Sequence, residues 1–165
     1  MIIGLTGGIG AGKSVIRDRL RDEYDSYCID MDSLAKDILL DEDVKNSIIK
    51  EFGDKAYFED GSPDKEYLSK NVFSSDEKRL KINSIIHPSV LKKVKELISS
   101  NEKLYDNVVC ESALPVEAKL KDYCDIVIYV KADKSVRRKR LKESRGYSDE
   151  KIDSIFASQK DDIFF

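Results

Sequence analysis

Eight consecutive residues near the start of the chain have the types and spacing of a phosphate-binding loop. The run Gly7-Gly8-Ile9-Gly10-Ala11-Gly12-Lys13-Ser14 fits the pattern GxxxxGK[ST], between a short apolar stretch and an amphipathic one. Glycines let successive backbone N–H groups point at phosphate oxygens, and the following helix adds the positive end of its dipole. The pattern predicts nucleotide binding, but by itself it does not separate a kinase from a GTPase or an ATPase.

Side-chain chemistry assigns roles within this loop. We expect Lys13 to reach the β- and γ-phosphates of ATP and to act in catalysis, and we expect the Ser14 hydroxyl to ligate Mg²⁺. The backbone around them should complete the phosphate site. The predicted nucleotide-binding positions are therefore Gly8, Gly10, Ala11, Gly12, Lys13, Ser14, Val15 and Ile16.

Two aspartates, Asp30 and Asp32, follow the second apolar stretch with one residue between them. A kinase needs a carboxylate near the acceptor hydroxyl, to orient it and to take its proton. If the strand continues, the two side chains point the same way; if it has ended, Asp32 turns toward the acceptor and Asp30 supports it. We predict Asp32 as the base. The alternative is that Asp32 only caps a helix that begins near Ser33.

Further charged residues are candidates for substrate and phosphate contacts. Glu111 ends the apolar stretch Val108–Cys110, where it could hold a Mg²⁺-bound water, contact substrate, or simply face solvent. A basic run from Arg137 to Arg140 is followed by Arg145. Over the phosphates, Arg140 and Arg145 could offset transition-state charge and close a lid. Such a run can equally be a solvated helix face.

His87 is the only histidine and stands directly before Pro88. Proline suits the first turn of a helix, so the dipeptide predicts a helix start. We expect His87 to have a structural role or to position substrate rather than to act as an acid or base, because Asp32 already serves as the base.

Four short apolar stretches predict the buried strands of a parallel sheet: Ile2–Thr6, Tyr27–Ile29, Val108–Cys110 and Ile126–Val130. Segments with helical spacing alternate with them, which predicts an α/β fold. The long interval between the second and third strands predicts a helical insertion. Its predicted helices are Lys36–Leu40, Val44–Phe52, Lys65–Val72, Glu77–Ile86 and the stretch after Pro88.

Length and composition fit one soluble domain. The chain has 165 residues and a net charge of −3, which argues against bulk nucleic-acid binding. No apolar run approaches the roughly 20 residues of a membrane span. Cys28, Cys110 and Cys124 form no CxxC pair, so we interpret them as buried free thiols in a reducing cytosol.

The motifs together resemble the dephospho-CoA kinase family, in order along nearly the whole chain. The opening Ile2–Ser14 is close to the family's characteristic start, and Ile29-Asp30-Met31-Asp32 resembles its paired-aspartate motif, whose second Asp is the proposed base. Ile86-His87-Pro88 resembles part of its CoA-binding insertion. The segment Glu111–Glu117 resembles the family's acidic, leucine-rich loop after the third strand, and the segment from Arg140 through Arg145 to Gln159 resembles its lid.

This resemblance implies a three-layer P-loop NTPase fold in a single domain. Its parallel core would cover 1–32 and 105–132, a helical CoA-binding insertion 33–104, and a helical lid 133–160. The implied reaction transfers the ATP γ-phosphate to the ribose 3′-hydroxyl of dephospho-CoA, with Mg²⁺, in the cytoplasm. Family members continue through another strand and helix, which implies that this chain is truncated at its C-terminus.

Two other interpretations remain open. The first is another small-molecule P-loop kinase, similar to shikimate kinase or to nucleoside monophosphate kinases. Shikimate kinases carry a further glycine-rich triplet that is absent here, and the nucleoside monophosphate kinases lack the pattern around Asp30 and Asp32. The second is a nucleotide-binding module without turnover.

Overall fold

The computed structural model describes residues 1–72, 75–112 and 120–158. Within them the chain forms four strands, seven α-helices and two short 3₁₀ turns. Residues 113–117 of the predicted acidic loop and Gln159 lie outside the described residues. The elements in order are β1 Ile2–Thr6, α1 Lys13–Glu23, β2 Ser26–Asp30, α2 Met31–Ile38, α3 Glu42–Phe52, α4 Lys65–Val72, α5 Asp76–Asn101, β3 Asn107–Ser112, β4 Ile126–Tyr129, α6 Lys134–Arg145 and α7 Asp149–Ser158, with 3₁₀ turns at Asp54–Ala56 and Leu120–Tyr123.

The four strands form one parallel sheet in the order β2-β3-β1-β4. The central strand β1 pairs with β3 from Ile2–Val108 onward and with β4 from Ile3–Ile126 onward. The α/β fold and all four predicted strands are confirmed, with ends that shift by at most two residues. β1 therefore lies between β3 and β4 in the sheet, and the loop that follows it begins at the carboxyl end of this interior strand.

The chain divides into two compact units. The first comprises Met1–Ile29 and the described residues after Ser100, and the second comprises Asp30–Ser100. The core of the first unit contains Ile3, Leu5 and Val109, with α1 and the neighbouring strands packed against them through Ile16, Leu20, Cys28, Ile128 and Val130. Because β1 carries apolar side chains on both faces, it is buried as a central parallel strand should be.

The second unit is helical and has its own hydrophobic core. Its buried members are Val44, Ile48, Ala56, Tyr57, Leu68 and Ile82. Two tyrosines add hydrogen bonds to this core. The Tyr57 hydroxyl donates to the Leu39 carbonyl at 2.8 Å, and the Tyr67 hydroxyl donates to the Phe52 carbonyl at 2.8 Å. The predicted insertion, 33–104, covers most of this unit. The helices predicted at Val44–Phe52 and Lys65–Val72 correspond to α3 and α4, whereas the one predicted at Lys36–Leu40 overlaps only the last turn of α2.

The expectation that Pro88 starts a separate helix is wrong. Both His87 and Pro88 lie inside α5, which runs unbroken from Asp76 to Asn101. Pro88 has no N–H to donate to the Ser84 carbonyl, so the helix loses one bond there. The helix nevertheless continues because Ile82, Val90, Val94 and Ile98, all buried, follow one another at multiples of four residues on a single face.

None of the helices in the described ranges is both long and apolar enough to cross a membrane.

Candidate active site

The glycine-rich loop joins the end of β1 to the start of α1, and two glycines set its shape. Gly7 has φ 146° and lies so close to β4 that a Cβ there would collide with the Val130 carbonyl oxygen. Gly12 has φ 108° and forms the N-cap of α1, where its carbonyl accepts from the Val15 and Ile16 N–H groups at 3.1 and 3.4 Å. Both conformations are costly for residues with a side chain. The loop therefore depends on glycine at its two ends.

Lys13 is the first residue of α1, and its side chain folds back over the loop. Its Nζ donates to the Gly7 carbonyl at 2.8 Å. Ser14 follows it with an exposed side chain, and Ile16 turns inward to pack on the sheet core. The structure thus brings together a cation, a hydroxyl and the N-terminus of an eleven-residue helix, which is the composition of an anion-binding site.

One polar atom beneath the loop is buried without a partner among the described residues. The Oγ1 atom of Thr6, the last residue of β1, is fully buried and has no hydrogen bond. The Thr6 backbone is paired, because its carbonyl accepts from Val130 at 2.7 Å. A buried hydroxyl without a hydrogen bond costs free energy and is uncommon in folded proteins. This one lies at the base of the phosphate loop.

Helix α6 contacts the outer side of the loop through two arginines. Arg137 is 4% exposed, and its Nε donates to the Ile9 carbonyl at 2.8 Å. Arg140 is exposed, and its Nη1 donates to the carbonyls of Ala11 at 3.0 Å and Gly10 at 3.3 Å. The structure therefore brings the predicted Arg140 to the loop.

Arg145 ends α6 with an exposed side chain, before Gly146 closes the helix in the left-handed conformation. The basic run is thus divided between different environments rather than forming one solvated face. Arg137 belongs to the predicted basic run, in which Arg140 and Arg145 are the preferred candidates, and it is the most deeply buried arginine of that run. Arg137 and Leu141, four residues apart, are the buried residues of α6 and lie on one face of the helix.

Glu111 lies within β3, one residue before its end at Ser112. Its Oε2 accepts a hydrogen bond from Arg17 Nη1 at 3.1 Å, and the side chains are 12% and 26% exposed respectively. The interpretation of Glu111 as a solvent-facing carboxylate at a strand end is therefore wrong. Its partner Arg17, one turn into α1, had no signal in the sequence, because the two residues are far apart along the chain.

The paired aspartates lie at the junction of β2 and α2. The strand ends at Asp30, whose carboxylate accepts from the Ser33 N–H at 2.9 Å and caps α2. Asp32 lies in the first turn of that helix and is exposed. Of the two conformations considered, the one in which the strand has ended is correct. The alternative that Asp32 is the helix cap is wrong, because the helix already begins at Met31.

His87 lies on α5 with a half-buried side chain. Together with Asp30 and Asp32 it belongs to the second unit, Asp30–Ser100, whereas the loop, Glu111 and Arg140 belong to the first.

The three cysteines are free thiols. Burial raises the pKa of Cys110 to about 12 and that of Cys124 to about 11, and it also raises the pKa of Cys28. Thiols of this kind are poor nucleophiles and poor metal ligands near neutral pH, since the thiolate is the reactive form. Within the described residues, no group of three or more His, Cys, Asp and Glu side chains could hold a metal ion.

A parallel sheet whose central strand runs through a glycine-rich loop and a Lys-Ser pair into a helix defines a P-loop NTPase fold. The family model described as dephospho-CoA kinase matches residues 1–162. The chain belongs to the dephospho-CoA kinase family.

Individual relatives agree with this assignment. The chain is 37% identical over 161 residues to dephospho-CoA kinase of Fusobacterium nucleatum, covering 96% of this chain and 81% of that one. It is 40% identical over 152 residues to dephospho-CoA kinase of Carboxydothermus hydrogenoformans, covering 89% and 72%.

Solved structures share the fold. TT1252 from Thermus thermophilus matches with a TM-score of 0.82 at 27% identity, over 97% of this chain and 80% of that chain. Dephospho-CoA kinase from Campylobacter jejuni matches with a TM-score of 0.59 at 22% identity, over 96% and 79%. Shikimate kinase from Acinetobacter baumannii matches with a TM-score of 0.51 at 14% identity, over 94% and 72%. The last two show similarity of fold alone.

Proposed function

We propose that this chain transfers the γ-phosphoryl group of ATP to the ribose 3′-hydroxyl of dephospho-CoA and so forms coenzyme A. The observation that carries the proposal is the phosphate loop with Lys13 folded over it, in a chain of the dephospho-CoA kinase family. Phosphoryl transfer depends mainly on positioning and on neutralising charge, and a helix N-terminus with a lysine and adjacent arginines supplies both.

Lys13 and Arg140 carry the charge stabilisation in this scheme. Lys13 leaves the Gly7 carbonyl to contact the β- and γ-phosphates, which are stronger acceptors because they are charged. Arg140 is exposed and already adjacent to the loop, where it contacts two backbone carbonyls. It acts on the transferring phosphoryl group, and Arg145 contributes to nucleotide binding from the end of the same helix.

Asp32 acts as the base that orients the acceptor hydroxyl and accepts its proton. Its position supports this role, because it follows the carboxyl end of a strand of the parallel sheet and is exposed. Open α/β sheets bind their ligands at that edge. Asp30 is committed to capping α2, and so it supports the acceptor site by fixing the backbone that carries Asp32.

Mg²⁺ accompanies ATP, and the residues present fit it. Magnesium keeps several waters and usually binds through one or two protein oxygens plus substrate phosphates, so it needs no preformed cluster of carboxylates. The exposed hydroxyl of Ser14, next to Lys13, is a hard oxygen ligand of the required type. When bound, the ion neutralises phosphate charge. Glu111 is already paired with Arg17, and it contributes to the acceptor side or to a metal-bound water.

The remaining parts of the chain take the roles that the family implies. The helical segment 33–104, with His87 on α5, binds the CoA portion of the acceptor, and 133–160 serves as a lid. We place the enzyme in the cytoplasm, where free thiols such as Cys28, Cys110 and Cys124 persist reduced. The partner is a small molecule rather than nucleic acid, in agreement with the net charge of −3.

The direct test is to incubate the protein with Mg-ATP and dephospho-CoA and to detect CoA by mass. Asp32→Asn and Lys13→Ala are assayed in parallel, and shikimate and nucleoside monophosphates are supplied as alternative acceptors. CoA formed by the wild type and lost in both variants supports the proposal. A folded wild type that binds ATP but forms no CoA contradicts it, and phosphorylation of another acceptor identifies a different kinase.

A further inference from the structure

We propose that Arg137 is a positioning residue that fixes the phosphate loop for ATP from the α6 side, and that position 8 is glycine because of the Arg137 guanidinium. The inference rests on the proposed use of ATP by this loop. It concerns a residue that contacts the loop from behind rather than the reacting groups.

The first observation is the burial of the arginine. Arg137 is 4% exposed, although arginine is among the residues least often buried. Its Nε donates to the Ile9 carbonyl at 2.8 Å, and its guanidinium carbon lies 4.6 Å from the centre of the Phe156 ring on α7. A desolvated guanidinium over an aromatic face is held firmly, because the cation–π attraction is strongest where water is excluded.

The second observation is the direction in which the loop peptide points. Within the described residues every peptide bond is trans, so the N–H of Gly10 points opposite to the carbonyl of Ile9. Arg137 holds that carbonyl toward α6. It therefore turns the Gly10 N–H to the side of the loop away from α6. Phosphate loops bind anions through N–H groups aimed in this way, and a peptide free to rotate would lose part of that alignment.

The third observation concerns Gly8. A Cβ built on Gly8 would lie within 3.0 Å of three atoms of the Arg137 guanidinium. Gly8 is not among the glycines with positive φ, so its backbone conformation alone does not require glycine. The guanidinium could move aside only by losing its hydrogen bond to the Ile9 carbonyl or its contact with the Phe156 ring. The side chain at 137 thus dictates the residue at 8.

Arg138 offers a matched control on the same helix. Its guanidinium pairs with Asp149 at 2.7 Å and with Asp153, both on α7. It therefore also ties α6 to α7, but through surface ion pairs rather than through the loop. A change at 138 tests the loss of an arginine from this helix pair without the loss of the contact to Ile9.

The experiment measures the affinity for ATP by calorimetry on the full chain, together with kcat and KM. Arg137→Met keeps the length of the side chain but removes its donors, and we expect it to weaken ATP binding about tenfold or more, as the loss of a charged hydrogen bond does. Arg138→Met should lower thermal stability and leave the ATP affinity within about twofold. A folded Arg137→Met protein with wild-type ATP affinity would overturn the proposal.

A double-variant cycle provides an independent readout, which also applies if Arg137→Met does not fold. Gly8→Ala should weaken ATP binding in the wild type. In an Arg137→Ala background, where space for the new methyl group exists, the same change should reduce the affinity for ATP several-fold less. Equal losses of affinity in both backgrounds would overturn the claim that the Arg137 side chain excludes a side chain at position 8. If Arg137→Ala also fails to fold, Arg137→Lys replaces it, and a Gly8→Ala variant with unchanged affinity and stability counts against the proposal.

These outcomes are separable from those of the proposed function. A wild type that binds ATP but forms no CoA contradicts the assigned acceptor, whereas the effect of Arg137 on ATP affinity can still be measured. A wild type that forms CoA, with Arg137→Met unchanged in ATP affinity, contradicts only the positioning role.

Discussion

Arg17 and Glu111 form an ion pair, with 3.1 Å between Nη1 and Oε2, that joins α1 to β3. Arg17 lies on the helix that follows the phosphate loop, and Glu111 lies on the strand next to β1. The same guanidinium also contacts Asp18. Glu111 therefore enters any chemistry as a carboxylate already engaged by a cation, which suits it to orienting water or substrate better than to accepting a proton.

We expect this pair to stabilise the protein more than surface pairs do. Arg17→Met and Glu111→Gln should each lower the free energy of unfolding by about 1 kcal/mol or more, and the double variant should lose less than the sum, because the two side chains are partly desolvated. Urea unfolding measures all four proteins. The matched control is the exposed pair Arg19–Glu23, with side chains 70% and 51% exposed, whose coupling should be only about 0.3–0.5 kcal/mol. Additive losses for Arg17 and Glu111 would contradict the expectation.

Replacing Lys13 should remove catalysis and leave the fold intact. Its Nζ donates to the Gly7 carbonyl at 2.8 Å, and Lys13→Met deletes the cation assigned to the phosphates. We expect kcat/KM for ATP to fall on the order of 10²–10³-fold, the size measured for single donors to a transition-state charge. Lys139→Met, which removes an exposed lysine of α6, is the control. A Lys13→Met enzyme with more than about a tenth of wild-type activity would exclude the assigned role.

The two aspartates should separate into a chemical role and a structural one. Asp32→Asn should lower kcat by about 10²–10⁴-fold, because a general base is lost, with little change in stability. Asp30→Ala should lower the free energy of unfolding by about 1 kcal/mol, because the N-cap of α2 is lost. Asp30→Asn keeps a capping oxygen and should restore the stability. Kinetics and thermal unfolding on the three variants check this assignment. It fails if Asp32→Asn retains wild-type kcat.

Stability should fall in alkali because of the buried thiol of Cys110. Burial raises its pKa to about 12 from an ordinary value of 9.0. Below that ordinary value the thiol is protonated in both states and contributes no pH dependence. Between the two values only the unfolded chain releases the proton, so rising pH favours unfolding by up to about 1.4 kcal/mol per pH unit. In Cys110→Ala the unfolding free energy should decline less over the same interval. If urea unfolding shows the unfolding free energies of the wild type and of Cys110→Ala declining equally with pH, the expectation is contradicted.

The strands around the loop could be anticipated because their signals are local. Ile2–Thr6 is an uninterrupted apolar run stopped by glycine, and its bounds in the structure are those predicted from the sequence. The remaining strands differ by one or two residues at their ends, where polar residues such as Ser26 and Ser112 pair in the sheet and are buried. Such residues extend strands because backbone pairing, rather than side-chain polarity, decides where a strand stops.

Two features required the three-dimensional structure. In α5 the apolar face on both sides of Pro88 outweighs the local preference of proline for a helix start, and only the packing of Ile82 and Val90 reveals this. In α6 a run of four basic residues looks like a solvated surface. The burial of Arg137 depends on Phe156 and on the Ile9 carbonyl, which lies more than a hundred residues away in sequence. Contacts of that kind leave no periodic signal.

The position of β1 in the sheet has a consequence for how the chain folds during synthesis. The strand is translated before β3 and β4, yet it pairs with β3 at residue 108 and with β4 at residue 126, while the helical unit Asp30–Ser100 is contiguous. Contacts within a continuous segment form sooner than contacts that close long loops. We therefore expect ribosome-stalled chains to acquire protease resistance in Asp30–Ser100 before Met1–Glu23, and the reverse order in limited proteolysis would contradict it. In this order of events β1 leaves the ribosome well before its partner strands and joins the sheet only after the helical unit has formed.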